Sequence, residues 1–250
     1  MKNSQFRKKE NIFVIEGAKE VNAALESGYK YEMFFICKEI FNDEALAKKI
    51  KLIEDVDNQF VYEVSKGVYE SVAYRESSQG IMATFYPKRN ELEDLKLSAN
   101  PLIIVLESVE KPGNLGAVLR TADACGADAV IVCDPLVDLY NPNVIRSSVG
   151  CLFFQQIAVT NTSETIKWLK SKGIKMFATA LPATKMYYDF NYKKSTAIIM
   201  GSEAHGLSQE WFDNADELIK IPMLGKTDSL NVSTSAAIAV FEVIRQRSAK

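Results

Sequence analysis

The sequence predicts an α/β protein in two parts, the second built on a mostly parallel sheet. Three observations carry this. From Pro101 onward, continuous apolar runs such as Ala129–Cys133 and Ala197–Met200 alternate with segments of helical spacing, as expected for strands covered on both faces. The first third alternates helix and strand signals in shorter runs. Between the two, Pro87–Asn100 is polar and opens with proline, which places a linker at 91–100 between domains at 1–90 and 101–250.

Each element has its own signal. Phe13–Gly28 carries Val21, Ala24 and Leu25 at helical spacing, and Gly28 suits a helix end. Met33–Cys37 is a short apolar strand, Glu44–Ile53 a helix, and Phe60–Val64 an alternating strand. Val68–Ala73 reads as a short helix and Gly80–Tyr86 as a strand. In the second part, strands are predicted at Leu102–Leu106, Ala129–Cys133, Gln155–Val159, Lys175–Ala180, Thr196–Met200 and Glu217–Ile221. Helices are predicted at Leu115–Cys125, Pro142–Ser148, Ser163–Ser171, Gln209–Asn214 and Val232–Arg247.

Composition narrows the functional classes. Hydrophobic residues make up 47% of the 250, enough for a substantial core. The formal charge is −2, and neither residues 1–100 (15 basic, 17 acidic) nor 101–250 (15 of each) is basic, so a nucleic-acid binder needs a local patch. The start, MKNSQFRKKENIF, lacks the apolar stretch of a secretory signal, and no apolar run approaches the ~18 residues of a membrane helix. Cys37, Cys125, Cys133 and Cys151 are scattered, which predicts reduced thiols in a cytoplasmic protein. With His205 as the single histidine, no metal site is expected.

Two nucleotide motifs fail. Gly225-Lys226-Thr227 resembles the end of a Walker A loop, but Lys220 stands where its first glycine belongs. No GxGxxG follows the first strand of the second part. Open α/β sheets nevertheless bind ligands beyond the carboxyl ends of their strands, where Gly201–Leu207 and Pro222–Leu230 fall.

Three polar blocks interrupt the apolar pattern. The first, NLGAVLR at Asn114–Arg120, places Asn114 to cap a helix, Gly116 for close approach, and Arg120 among apolar neighbours. On residues alone, a functional Arg120 and an arginine that merely snorkels to solvent or pairs with an acid are evenly balanced. The second, GSEAHGL at Gly201–Leu207, is a glycine-bounded turn in which Glu203 could cap and His205 is an incidental loop residue. The third joins Ile221-Pro222-Met223 to Ser229-Leu230-Asn231-Val232-Ser233, where Ser229, Asn231 or Ser233 could cap the last helix.

In this order the blocks resemble motifs 1, 2 and 3 of the SpoU (TrmH-like) family of RNA ribose 2′-O-methyltransferases, of the SPOUT class. The resemblance implies S-adenosylmethionine (AdoMet) as methyl donor, RNA as acceptor, and a deep trefoil knot in the C-terminal domain. It implies a catalytic set of Arg120, Asn114, Glu203, Ser229 and Asn231, and a cofactor site at Thr179, Leu181, Gly201, Ile221, Met223 and Leu230. Ala204-His205 and Asp228 depart from the usual family pattern. The FVIEGAKEVNAAL and SSQGIMATF segments resemble the L30e-like RNA-binding domain that precedes many family catalytic domains. Arg7, Lys8 and Lys9, with Lys88 and Arg89 beyond them, are the candidate phosphate contacts. A homodimer is implied, with the apolar helix around Phe241 in the core or the interface. Ribosomal RNA is the expected substrate and transfer RNA the alternative. A non-catalytic RNA-binding or ribosome-assembly protein and a small-molecule enzyme with a nucleotide cofactor are the competing classes.

Overall fold

A computed structural model describes residues 4–56, 58–74 and 79–248. The chain divides into two compact units, one of residues Met1–Lys88 with Leu139–Phe154, the other of Arg89–Asp138 with Gln155–Lys250.

In the first unit, helix α1 (Ser4–Glu10) precedes β1 (Phe13–Glu16), α2 (Ala18–Glu26), β2 (Tyr31–Ile36), α3 (Glu44–Val56), β3 (Val61–Glu63), α4 (Lys66–Val72) and β4 (Ile81–Phe85). The strands form a sheet of order β1-β4-β2-β3, with β2 and β3 parallel and the other pairs antiparallel. The helical reading of Phe13–Gly28 is corrected at its start. Phe13 and Ile15 alternate into the core and pair with Phe85 and Ala83, so this stretch is strand. Gly17, at φ 116°, then turns the chain into α2.

In the second unit, β5 (Leu102–Glu107), α5 (Pro112–Cys125) and β6 (Ala129–Cys133) come first. Helices α6 (Pro142–Ser148) and α7 (Cys151–Phe154) follow in the chain but belong to the first unit. There Tyr140 stacks on Phe13 at 4.3 Å between ring centres, and Phe153 lies at 6.3 Å from the same ring. The compact second unit is therefore not the continuous 101–250 expected. Long-range aromatic packing makes this assignment, and no local signal in the sequence could.

The second unit continues with β7 (Ile157–Thr160), α8 (Thr162–Ser171), β8 (Lys175–Thr179), β9 (Lys185–Met186), β10 (Thr196–Met200), α9 (Gln209–Asn214), β11 (Glu217–Lys220) and α10 (Val232–Ser248). Its seven strands are all parallel, in the order β7-β6-β5-β10-β8-β11-β9. Strands β5, β6 and β10 are buried along their whole length, as their unbroken apolar sequence demands. The two-residue edge strand β9 has no counterpart in the sequence reading, being too short to show a period.

Segment 91–100 packs into this unit rather than hanging free as a linker. Leu92 is buried in the core with Leu95 and Leu97 against it. The Lys96 backbone exchanges hydrogen bonds with the Gln156 amide, both at 2.8 Å. At the amino ends of the strands, polar groups close on one another. Asp128 accepts from the N–H groups of Ser98 (2.7 Å) and Leu102 (2.9 Å), and Asp216 from that of Met176 (2.8 Å). Near the end of α10, the Arg247 guanidinium donates to the carbonyls of Tyr192 (3.0 Å), Asn100 (2.8 Å), Pro101 (3.3 Å) and Lys194 (2.7 Å).

Cys37, Cys125 and Cys133 are buried, Cys151 is half-buried, and all four are free thiols. Burial pushes the Cys133 thiol up to about 12. No helix of the described residues is long and apolar enough to cross a membrane.

Candidate active site at the carboxyl edge of the parallel sheet

Three loops leave the carboxyl ends of three consecutive strands. The loop after Thr179 leaves β8, Gly201–Leu207 leaves its neighbour β10, and the loop from Ile221 leaves β11 on the other side of β8. Parallel strands bring these loops together although the strand ends they leave are 20 or more positions apart in the chain.

The middle loop is tightly built. The N–H of Ser202 donates to the Gly206 carbonyl (2.9 Å) and that of Gly206 returns to Ser202 (3.0 Å). A Cβ on Gly201 would fall onto the backbone of Gly206 and Leu207, so only glycine fits there. Gly206 takes φ 67°, in the left-handed region. Ser202 Oγ accepts the His205 N–H at 3.0 Å, and His205 is exposed.

The turn presents Glu203, the meeting point of all three blocks. Its Oε1 accepts from the Asn114 side-chain amide and from Asn231 Nδ2 (3.2 Å). Asn231 Nδ2 also donates to Asn114 Oδ1 at 3.0 Å, which closes a triangle of Asn114, Glu203 and Asn231. The other end of the Asn231 amide caps α10, accepting the Ser233 N–H (2.9 Å) and Oγ–H (2.6 Å). Asn231 is thus both the cap of the last helix and a link to the other two blocks.

Asn114 does not open its helix. Helix α5 begins two residues earlier, at Pro112, whose fixed φ suits a first helical position. The N-cap residue is Lys111, with no side-chain cap bond, and the Asn114 amide is spent on Glu203 and Asn231 instead. Lys111 is a site residue the sequence reading missed. Its ammonium bonds Glu203 Oε2, and that carboxylate holds the lysine pKa above its ordinary value. Its place three residues before Asn114 was the available signal, since a carboxylate in the second block needs a cation.

The other predicted residues do not join this triangle. Arg120 is solvent-exposed and has no hydrogen-bond or ion-pair partner among the described residues. At 3.6 residues per turn it projects about 120° around α5 from Asn114. The hydroxyl of Ser229 is outside the triangle, and its carbonyl accepts from Thr227 Oγ1 (3.1 Å). Thr179 is held by its own sheet, its Oγ1 donating to the Ile199 carbonyl at 2.9 Å. Leu181 is 67% exposed and Leu230 38%. Gly201, Ile221 and Met223 are half-buried at the roots of their loops. From Met223 to Leu230 no backbone N–H donates to another backbone group among the described residues. Exposed leucines beside unspent backbone amides are what a flat heteroaromatic ligand needs: apolar surface for its ring and fixed polar groups for its edge.

The basic residues proposed as phosphate contacts fare differently. Arg7 is corrected: it is 4% exposed, because α1 turns it inward, and it presents no charge to solvent. The side chain of Lys8 lies outside the described residues. Lys9 is exposed, with Glu10 at 3.9 Å. Lys88 donates to the Ser27 carbonyl at 2.6 Å and lies over the Tyr29 ring at 4.3 Å, and partial burial lowers its pKa. Arg89 pairs with Glu91 and Asp94.

Comparison with known proteins places this architecture. Residues 101–241 match the family model "SpoU rRNA Methylase family", and residues 1–83 match "MRM3-like substrate binding domain". The 23S rRNA (guanosine(2553)-2′-O)-methyltransferase RlmP of Bacillus subtilis is 31% identical over 95% of this chain and 90% of its own length. An AdoMet-bound rRNA methyltransferase from Sinorhizobium meliloti superposes with a TM-score of 0.89 at 28% identity, over 99% of this chain and 92% of that one. An RNA 2′-O ribose methyltransferase superposes with a TM-score of 0.83 at 36% identity, over 98% of this chain and 93% of that one. A parallel sheet with three motif loops at one edge and a match that spans more than half the sequence lead to one assignment: the chain belongs to the SpoU rRNA methylase family.

Proposed function

We propose that this protein is an AdoMet-dependent methyltransferase that methylates a ribose 2′-hydroxyl in ribosomal RNA, with a guanosine of the large-subunit RNA as its target. One observation supports this above the rest. The Asn114–Glu203–Asn231 triangle ties the three motif blocks into one site at the edge where such a fold binds its ligands. The names of the relatives point the same way, being 23S rRNA guanosine 2′-O-methyltransferases matched over most of their length.

The loop chemistry fits AdoMet. Leu181, Ile221, Met223 and Leu230 offer apolar surface, Gly201 keeps the middle loop tight, and the amides of Met223–Leu230, which donate to no backbone group among the described residues, offer donors. Bound there, AdoMet supplies a methyl group on a positively charged sulfonium, which is already a good leaving group. What remains for the protein is to align the acceptor oxygen and lower the cost of losing its proton. Arg120, exposed and without a hydrogen-bond or ion-pair partner among the described residues, is the group for that role. Arginine stays protonated under ordinary conditions, so it stabilises developing charge on the oxygen or holds the adjacent phosphate. Asn114, Glu203 and Asn231 fix the loops, and Lys111 keeps Glu203 paired.

The reading includes a homodimer and a knotted C-terminal domain. Ile238, Phe241 and Ile244 leave apolar surface exposed or half-exposed along α10, and Phe241 is 47% exposed. The placement of β10 between β5 and β8, with α10 packed on α5 and β10, is compatible with the knot.

Tritium transfer from labelled AdoMet to total RNA from a strain lacking the protein, followed by ribose-methylation mapping, tests the activity. The expected result is a single methylated position in 23S rRNA. Absence of transfer, with no AdoMet binding by calorimetry, would refute it. A monomer at micromolar concentration in sedimentation would remove the dimer.

A further inference from the structure

Glu107 ends the apolar strand β5 and is 5% exposed, yet no cation pairs with it among the described residues. A carboxylate is buried this deeply only when hydrogen bonds replace its water. Three donors do so. The Ser208 N–H reaches Oε2 at 2.7 Å, and Oε1 accepts from Ser208 Oγ at 2.6 Å and Thr162 Oγ1 at 2.8 Å. The Thr162 hydroxyl also lies 2.9 Å from Asp134 Oδ2, which accepts the Thr162 N–H at 3.0 Å, so its one proton is shared between the two carboxylates and the Ser208 donors hold Glu107 most firmly.

Ser208 is unusual in its use. It is the N-cap residue of α9, with the extended backbone of a cap, yet its hydroxyl makes no cap bond. A residue type favoured for capping is diverted to a tertiary bond 101 positions away. It directly follows the loop that presents Glu203. That loop is fixed at its root by the Gly201 approach and across its neck by the Ser202–Gly206 bridge. Glu107 fixes its exit.

We propose that Glu107 is a positioning residue: through Ser208 it holds the Gly201–Leu207 loop so that Glu203 meets Asn114 and Asn231. The catalytic part of this inference rests on the methyltransferase reading above; the loop part does not.

The test is a double-mutant cycle on the full-length protein with two readouts. Glu107→Gln keeps the volume but places an amide donor against one of the three donors. Ser208→Ala removes only the surface partner, so it reports even if Glu107→Gln fails to fold. In hydrogen exchange, either variant should speed exchange of the Ser202 and Gly206 amides about 10-fold or more and leave the β5 and β10 amides unchanged. In single-turnover RNA methylation, either should lower the rate about 10-fold with AdoMet affinity changed less than about 3-fold. Combined with Glu203→Gln, the further loss should be under about 2-fold, because the three residues act as one unit. Unchanged loop exchange overturns the inference, and so do losses that multiply independently of Glu203. If the wild-type protein transfers no methyl group, the functional reading falls instead, and loop exchange alone decides the role of Glu107.

Discussion

The two edges of the seven-stranded sheet are finished differently. At the amino edge, Asp128 and Asp216 bind backbone N–H groups and Arg247 spends its guanidinium on four carbonyls. At the carboxyl edge, Leu181 and Leu230 are exposed and the amides of Met223–Leu230 donate to no backbone group among the described residues, and Arg120 on α5 has no hydrogen-bond or ion-pair partner among them. One edge satisfies itself and the other is left to be satisfied by ligands. Polar groups at the first edge hold the fold, and those at the second are the groups proposed to carry the chemistry.

The contrast is sharpest at two arginines. Arg120→Ala should lower single-turnover methylation by about 10² to 10³, the range for loss of one preorganised electrostatic group. The melting temperature and AdoMet affinity should barely move, and Arg120→Lys should rescue poorly because a point charge does not reproduce the planar fork. Near-normal methylation by Arg120→Ala would make the carboxyl edge structural and end the contrast.

Arg247→Ala should do the reverse. Several backbone carbonyls lose a charged donor, so denaturant melts should show a loss of about 2–4 kcal/mol. The folded fraction should keep a nearly normal rate. A rate loss larger than the stability loss explains would mean the amino edge also shapes the site.

A third substitution lies within the triangle. Asn231→Ala removes the cap of α10 and two bonds to the other blocks at once. It should cost about 1 kcal/mol in stability from the cap. It should also slow methylation, by about 10-fold, because the loops lose their common tie. Asn231→Asp keeps the cap oxygen and should restore stability but not rate. Recovery of both would show that only the cap matters.

The smallest effect concerns the first unit. Lys9 is exposed, whereas Arg7 is buried and Lys88, though exposed, donates to the Ser27 carbonyl. Neutralising Lys9 should lower the salt slope of RNA binding by at most about one phosphate equivalent. An unchanged slope would mean that this charge is merely solvated.

Much of this was legible in the sequence. Unbroken apolar runs marked β5, β6 and β10 within a residue because strands buried on both faces tolerate little else. Helix α6 was read at its observed bounds, and in the structure Pro142 opens it behind the cap Asn141. Gly201 and Glu203 stood out as polar or small residues after a buried strand. Elements defined by pairing were less legible. Phe13–Glu16 reads as helix until β4 lies beside it, and β9 has only two residues.

The sequence by itself determined the parallel α/β architecture, the three motif blocks and their family, because period, composition and spacing are local properties. Only the tertiary structure decided that α6 and α7 belong to the first unit, that Arg7 is buried, and that Asn114 serves Glu203 rather than its own helix. It alone exposed Lys111 and Glu107 as partners of the second block and of the residue that follows it. The reason is that a side chain's role depends on which group, dozens of residues away, the sheet order sets beside it, and a linear pattern carries no such distance.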